Sequence, residues 1–297
     1  MSIRVLITGA SGLLGSALVA KAPADAEIIA QVRSQSLRDP WREGIAVEEK
    51  LDLNDDAATR ALFQRHSPTS VIHTAARTHP GDCEKHPDDA RRDNVETTGL
   101  LIECCRDAGI LFVFLSTDLV FDGRHAPYDE EAPRAPIGIY AQTKCEAEDL
   151  ARAYSGSLLL RVSLLLGRSP AGNRSPDEGL VAAHRRQATA HLFHDEYRTP
   201  IHNESAAIAI WSLLAKRATG LFNLAGRTRV SRWELGQALT RRLGLPEEML
   251  KRTSVKDFRG SPPRPPDCTL KVEKLETFLG HPMPTLDEML KSPLACV

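Results

Sequence analysis

Apolar positions along the chain fall into short runs separated by longer amphipathic stretches. The runs Ile3-Arg-Val-Leu-Ile7, 28–32, 47–52, 70–74, 111–116 and 158–163 have the length and branching of buried strands. Between them, apolar residues recur at helical spacing. After Asn54, which is expected to open a helix, Ala58, Leu62 and Phe63 share a face. From about Asn94, Val95, Leu101, Cys104, Cys105 and Ala108 are expected to point inward until Gly109 stops the helix. Strands alternating with helices imply right-handed crossovers and an α/β protein built on a doubly wound parallel sheet. Further strands are expected at Leu192–Phe193 and Leu221–Leu224, and Ser231-x-x-Glu234 and Thr285-x-x-Glu288 are capping boxes that open two late helices.

Composition narrows the function classes. A chain of 297 residues with 42% hydrophobic residues can bury a large core, and a net charge of −1 gives no global field for nucleic acid or an anionic membrane. Six cysteines, at 83, 104, 105, 145, 268 and 296, form no C-x-x-C pair, so a reduced, cytoplasmic setting is expected. The N-terminus enters a strand directly and no run of about 18 apolar residues occurs, so neither export nor a membrane span is expected. His79, Cys83 and His86 lack a fourth ligand at a familiar spacing, and no metal site is expected. His73 reads as a satisfied strand-end histidine.

The chemistry concentrates at two places. The first is Thr8-Gly9-Ala-Ser11-Gly12-Leu13-Leu-Gly15, a glycine turn between a strand and a helix. Helix N-termini present free N–H groups and a positive dipole end to a pyrophosphate. Gly9 permits a tight turn, Gly12 a close backbone approach and Gly15 close helix packing. At the end of the second strand Arg33-Ser34 stands where an acid would bind the hydroxyls of an adenosine ribose, and an arginine there suits a 2′-phosphate. NADP(H) is therefore expected as cofactor, with NAD(H) possible. The second place is Val113-Phe-Leu-Ser116-Thr117-Asp118-Leu-Val-Phe-Asp122-Gly123, an apolar strand that delivers hydroxyls and a carboxylate to its C-terminal edge. Tyr140 and Lys144 follow at a spacing of four, on one helix face.

These stretches, with Glu130-Glu-Ala-Pro133-Arg-Ala-Pro136 and the loop Arg264-Pro-Pro-Asp267, resemble the extended short-chain dehydrogenase/reductases. The chain is most similar to the dTDP-4-dehydrorhamnose reductase branch, which also includes the beta subunit of methionine adenosyltransferase. The resemblance implies an NAD(P)-binding Rossmann fold. Its dinucleotide-binding domain would span 1–165, with 200–225 returning to it, and a smaller substrate-binding domain would comprise 166–199 and 226–297. It implies Tyr140 as general acid, Lys144 as the cation that favours the tyrosinate and bonds the nicotinamide ribose, and Thr117 as a hydrogen-bond partner of the substrate carbonyl. Cofactor contacts are implied at Gly9, Ser11, Gly12, Leu13, Gly15, Arg33, Asp52, Leu53, Ala75, Ala76, Tyr140 and Lys144, and substrate contacts at Thr78, Asp118 and Arg264. The expected partner is a nucleotide sugar, with a homodimer left open. In this branch the stretch after the sixth strand carries an aromatic segment, whereas here it reads Arg161-Val-Ser163-Leu-Leu-Leu-Gly167-Arg168-Ser-Pro. Three functions follow from the resemblance: an NADPH-dependent keto-sugar reductase, a nucleotide-binding regulatory subunit, or a sugar-nucleotide epimerase.

Overall fold

The computed structural model describes residues 3–292. Seven parallel strands, Ile3–Thr8, Ala26–Val32, Ile45–Lys50, Ser70–His73, Leu111–Thr117, Ser157–Val162 and Gly220–Leu224, form one sheet; numbered along the chain, they lie in the order 7-6-5-4-1-2-3. Strand order reverses between the first and fourth strands, which places a crevice at their C-terminal ends.

The period of two in the strands decides which layer each residue enters. Val5 and Ile7, Ile28 and Ala30, Val113 and Leu115, and Leu158 and Leu160 belong to one apolar cluster. Leu6, Ile29, Phe112, Phe114 and Leu159 belong to a second cluster, with Leu62, Phe63, Leu101, Ile102, Cys104 and Cys105 from the covering helices. The sheet is thus buried on both sides, which is why its strands read as apolar runs. The first cluster continues into the C-terminal segments through Leu235, Leu239, Leu275 and Met289.

Several boundaries differ from the sequence reading. The third strand is Ile45–Lys50, displaced from 47–52, because the chain turns at Asp52 and Asn54, where Asp52 Oδ1 accepts from the Asn54 backbone N–H at 3.1 Å. The next helix, Asp56–His66, is capped by Asp55, whose carboxylate accepts from the Ala58 N–H, and not by Asn54. The helical path expected from Asn94 begins earlier, with Pro87–Arg91, a π-helical turn at Arg92–Glu96 and then Thr97–Ala108. Ala108 itself is exposed, since the last turn rotates off the sheet. Strand Leu192–Phe193 extends to Ala190–Phe193 and pairs in parallel with Leu250–Thr253. Both late capping boxes form, at Ser231 and Thr285.

His79 and Cys83 serve local structure: His79 caps the short helix Pro80–Lys85, and Cys83 is buried beneath it. Among the described residues no cluster of His, Cys, Asp or Glu is placed to hold a metal ion, and no helix is long and apolar enough to cross a membrane. Cys296 lies outside the described residues; Cys83, Cys104, Cys105, Cys145 and Cys268 are free and buried.

Candidate active site

A cavity of about 1550 Å³ opens at the C-terminal edge of the sheet, over the point where strand order reverses. Its floor is the glycine turn, with Gly9, Ser11, Gly12 and Leu13 in its wall. Gly9 adopts φ +65°, and a Cβ there would crowd the Ala75 backbone at 2.8 Å, so the turn and the end of the fourth strand fit only without a side chain. A Cβ on Gly15 would press on the Gly9 carbonyl oxygen; Gly15 therefore sits under the turn and does not line the cavity. Helix Leu13–Ala20 starts at Gly12 with no side-chain cap, which leaves its first N–H groups facing the cavity without a side-chain acceptor.

Thr117, Asp118, Tyr140 and Lys144 line the same cavity, as do Thr78, Ala75 and Ala76. Two elements bring them together: strand Leu111–Thr117 ends at the threonine, and helix Ile139–Arg152 carries Tyr140 and Lys144 one turn apart. The helix start is fixed by Glu84, whose Oε1 accepts from the Ile139 N–H at 2.7 Å. The Tyr140 phenol lies within reach of the Thr117 hydroxyl. Thr117 donates to Asp118 Oδ1 at 3.1 Å and accepts from the Leu119 N–H at 3.1 Å.

Burial governs the titration of this group. Burial pushes the Tyr140 phenol well above its ordinary value, and the Asp118 carboxylate adds to the shift, while the Thr117 hydroxyl opposes it. Burial lowers Lys144 to about 7 against the pull of Glu148. Its ammonium stands 4.1 Å over the Phe114 ring. Desolvation of both groups thus opposes the pull toward the tyrosinate expected of Lys144. His73 lies beneath, held neutral by burial and by Lys144 at a pKa of about 3. Thr98 Oγ1 gives its proton to the Asn94 carbonyl at 2.7 Å, so His73 Nε2 is the donor to Thr98 and Nδ1 accepts from Thr8 at 2.7 Å. His73 is a satisfied core histidine, as its sequence setting implied.

The outer residues divide. Arg33, Asp52 and Leu53 reach the cavity wall, where the Arg33 guanidinium bridges Asp52 at 3.3 Å and Asp93 at 3.2 Å. Arg264 does not line the cavity. It forms a two-pronged ion pair with Glu196, at 2.6 and 3.1 Å, and packs over Phe193 and Phe258. Glu196 also faces Arg198 at 3.4 Å, and Arg198 faces Asp118 at 3.5 Å, so a buried run of charges joins the Arg264 loop to the strand end.

Sequence reasoning missed Gln31, Asp93 and the pair Glu148–Arg161. Gln31 Oε1 accepts from the Gly9 N–H at 3.0 Å and its amide donates to the Leu51 carbonyl at 2.8 Å, fastening the turn. A polar residue inside the otherwise apolar run Ile28–Val32 was the available signal. Asp93, in a helical stretch of alternating charge, gave none.

A family model, the RmlD substrate binding domain, matches residues 3–296. The beta subunit of methionine adenosyltransferase 2 from Bos taurus is 28% identical over 285 residues, covering 93% of this chain and 82% of that protein. The crystal structure of a hypothetical dTDP-4-dehydrorhamnose reductase from Sulfolobus tokodaii is similar with a TM-score of 0.84 and 30% identity, over 97% of this chain and 98% of that one. A dTDP-4-dehydrorhamnose reductase from Bacillus anthracis, solved in complex with NADP, superposes with a TM-score of 0.84 at 21% identity, over 98% of both chains.

Proposed function

Since the chain belongs to the RmlD substrate binding domain family, we propose that it is an NADPH-dependent reductase of a keto group on a nucleotide-activated sugar. The observation that carries this reading is the meeting of Thr117, Tyr140 and Lys144 on the wall of the cavity that also holds the glycine turn and Arg33. The residues fit a nicotinamide dinucleotide. Bare helix N–H groups suit its pyrophosphate, the crowded Gly9 and Ala75 backbones leave a smooth floor, and Arg33 suits a 2′-phosphate, with NAD(H) also accommodated. When bound, such a cofactor supplies a hydride.

The chain's own residues supply the rest. Tyr140, its phenol held protonated by burial, gives its proton to the carbonyl oxygen as negative charge develops there. Thr117 donates to the same oxygen once its hydroxyl turns from Asp118, and Lys144 would bond the ribose hydroxyls. Asp118 and Thr78 face the sugar side, and Arg264 stands further out on its proline-stiffened loop.

The likeness to the bovine beta subunit supports a second reading, a regulatory subunit that binds the dinucleotide with little turnover. One experiment separates them: NADPH oxidation with dTDP-4-dehydrorhamnose and a panel of keto-sugar nucleotides, for wild type and Tyr140→Phe. Turnover that Tyr140→Phe abolishes while NADPH still binds supports the reductase. Wild type that binds NADPH and reduces nothing in the panel supports the regulatory subunit.

A further inference from the structure

We propose that the segment 168–175, which continues the stretch that departs from the family's aromatic pattern, is a clamp over the cofactor's diphosphate, with Arg174 as its anion-binding residue. The proposal rests on the dinucleotide reading of the cavity.

The segment is built as a rigid strap. Glu178, buried, accepts from the N–H of Ser169 at 2.5 Å, from its hydroxyl at 2.8 Å, and from the N–H of Arg174 at 2.6 Å and of Ser175 at 3.2 Å. One carboxylate thereby latches both ends of the loop. The strap's base is fixed to the glycine turn through a single amide: Asn203 Nδ2 donates at 3.0 Å to the Leu13 carbonyl and at 3.0 Å to the Arg168 carbonyl. Gly167 makes that junction possible, since it holds φ +108° and a Cβ there would collide with the Asn203 side chain.

So anchored, the strap presents Pro170, Ala171, Asn173 and Arg174 to the cavity that Gly12 and Leu13 also line. Arg168 lies 6.0 Å over the ring of Trp41, which lines the cavity with Arg38. Among the described residues none forms an ion pair or hydrogen bond with the Arg174 guanidinium, whereas Arg33, on the adenosine side, is already matched by two carboxylates. A free guanidinium and uncapped helix N–H groups that line one cavity are together suited to a diphosphate, which can accept from both. The later part of the altered stretch after Arg161 thus acts on the cofactor.

Titration of wild type, Arg174→Ala and Arg174→Lys with NADPH and with adenosine 2′-monophosphate, followed by fluorescence or calorimetry, tests this. The nucleotide monophosphate probes the adenosine end alone. Expected is a loss of NADPH affinity of about tenfold in Arg174→Ala, the order of one charge-assisted hydrogen bond, with part of it retained in Arg174→Lys and no change for adenosine 2′-monophosphate. NADPH binding unchanged in Arg174→Ala, or an equal loss for both ligands, overturns the clamp while leaving the dinucleotide reading intact. A wild-type protein that binds no NADPH overturns the dinucleotide reading, and the clamp with it.

Discussion

The Thr117 hydroxyl donates to the Asp118 carboxylate at 3.1 Å while its oxygen accepts the Leu119 N–H. A hydroxyl has one proton, so Thr117 is oriented by its neighbour before any substrate arrives. Thr117→Val keeps the shape and removes the hydroxyl, leaving Asp118 Oδ1 and the Leu119 N–H without these partners. The expected cost in stability is about 1–3 kcal/mol by urea denaturation. In the reductase reading kcat falls by about 10²–10³, the effect of losing one polar partner of the developing oxyanion, with NADPH affinity unchanged. A variant with wild-type kcat would remove Thr117 from the site.

Lys144 makes the stability of the protein depend on pH in a defined window. Burial lowers its pKa to about 7 from the ordinary 10.5. Below 7 folded and unfolded chains both carry the proton, and the cost of burying the charge is present in full. Between about 7 and 10.5 the unfolded chain holds a proton that the folded chain has released, so stability rises with pH. In Lys144→Met this contribution is absent. The unfolding free energy of wild type should therefore climb relative to that variant from pH 7 to 10. A flat or falling difference in the paired urea titrations contradicts the assignment.

Much of this arrangement could be read from the chain, for identifiable reasons. A sheet buried on both faces turns its strands into apolar runs, so Ile3–Thr8 and Leu111–Thr117 are legible from composition alone. Gly9, Thr117, Tyr140 and Lys144 are legible because backbone geometry or helical spacing demands them. What was not legible depends on distant partners. Asp93 meets Arg33 across 60 residues and Asn203 meets Leu13 across 190, and no local pattern encodes either contact. Arg264 looked free to meet a ligand because Glu196, 68 residues away, gives no sign of the pairing. The third strand was displaced because Ile45–Lys50 is an edge strand, half-buried and charged, whose pattern is weak.

Arg33 should set cofactor preference. Its guanidinium is about half exposed at the cavity rim and is held by Asp52 and Asp93, which fixes its direction without burying it. Arg33→Ala removes the fork that would meet a 2′-phosphate, while the hydroxyls of NADH lose nothing charged. Expected is a drop of about tenfold or more in the ratio of NADPH to NADH affinity, the scale of a charge-assisted pair. Equal weakening of both cofactors would mean that Arg33 only supports the rim.

The buried pair Glu148–Arg161 should matter to catalysis through geometry alone. Arg161 donates to both Glu148 oxygens, at 3.1 and 3.0 Å, and the side chains are 1% and 0% exposed. Burial pushes the Glu148 carboxyl up, yet hydrogen bonds and charge from Arg161 and the Ser116 hydroxyl hold it below its ordinary range. Glu148 lies on the helix of Tyr140 and Lys144, Ser116 on the strand of Thr117, and Arg161 on the next strand, so one carboxylate pins the acid's helix to the threonine's strand. Arg161→Met leaves that carboxylate with Ser116 at 2.6 Å and Arg134 at 3.4 Å. With Arg134 still at 3.4 Å and Arg152 at 3.9 Å the charge stays partly compensated, so the expected loss is about 1.5–3 kcal/mol, the scale of hydrogen bonds to a charged group. The double variant Glu148→Leu with Arg161→Met removes both charges and should recover much of it, giving a coupling of at least about 1 kcal/mol in a double-mutant cycle. Additive losses would show that the pair does not act as a unit. Where Arg161→Met still folds, kcat should fall with NADPH affinity retained, since the helix carrying Tyr140 shifts against Thr117 while the glycine turn stays in place.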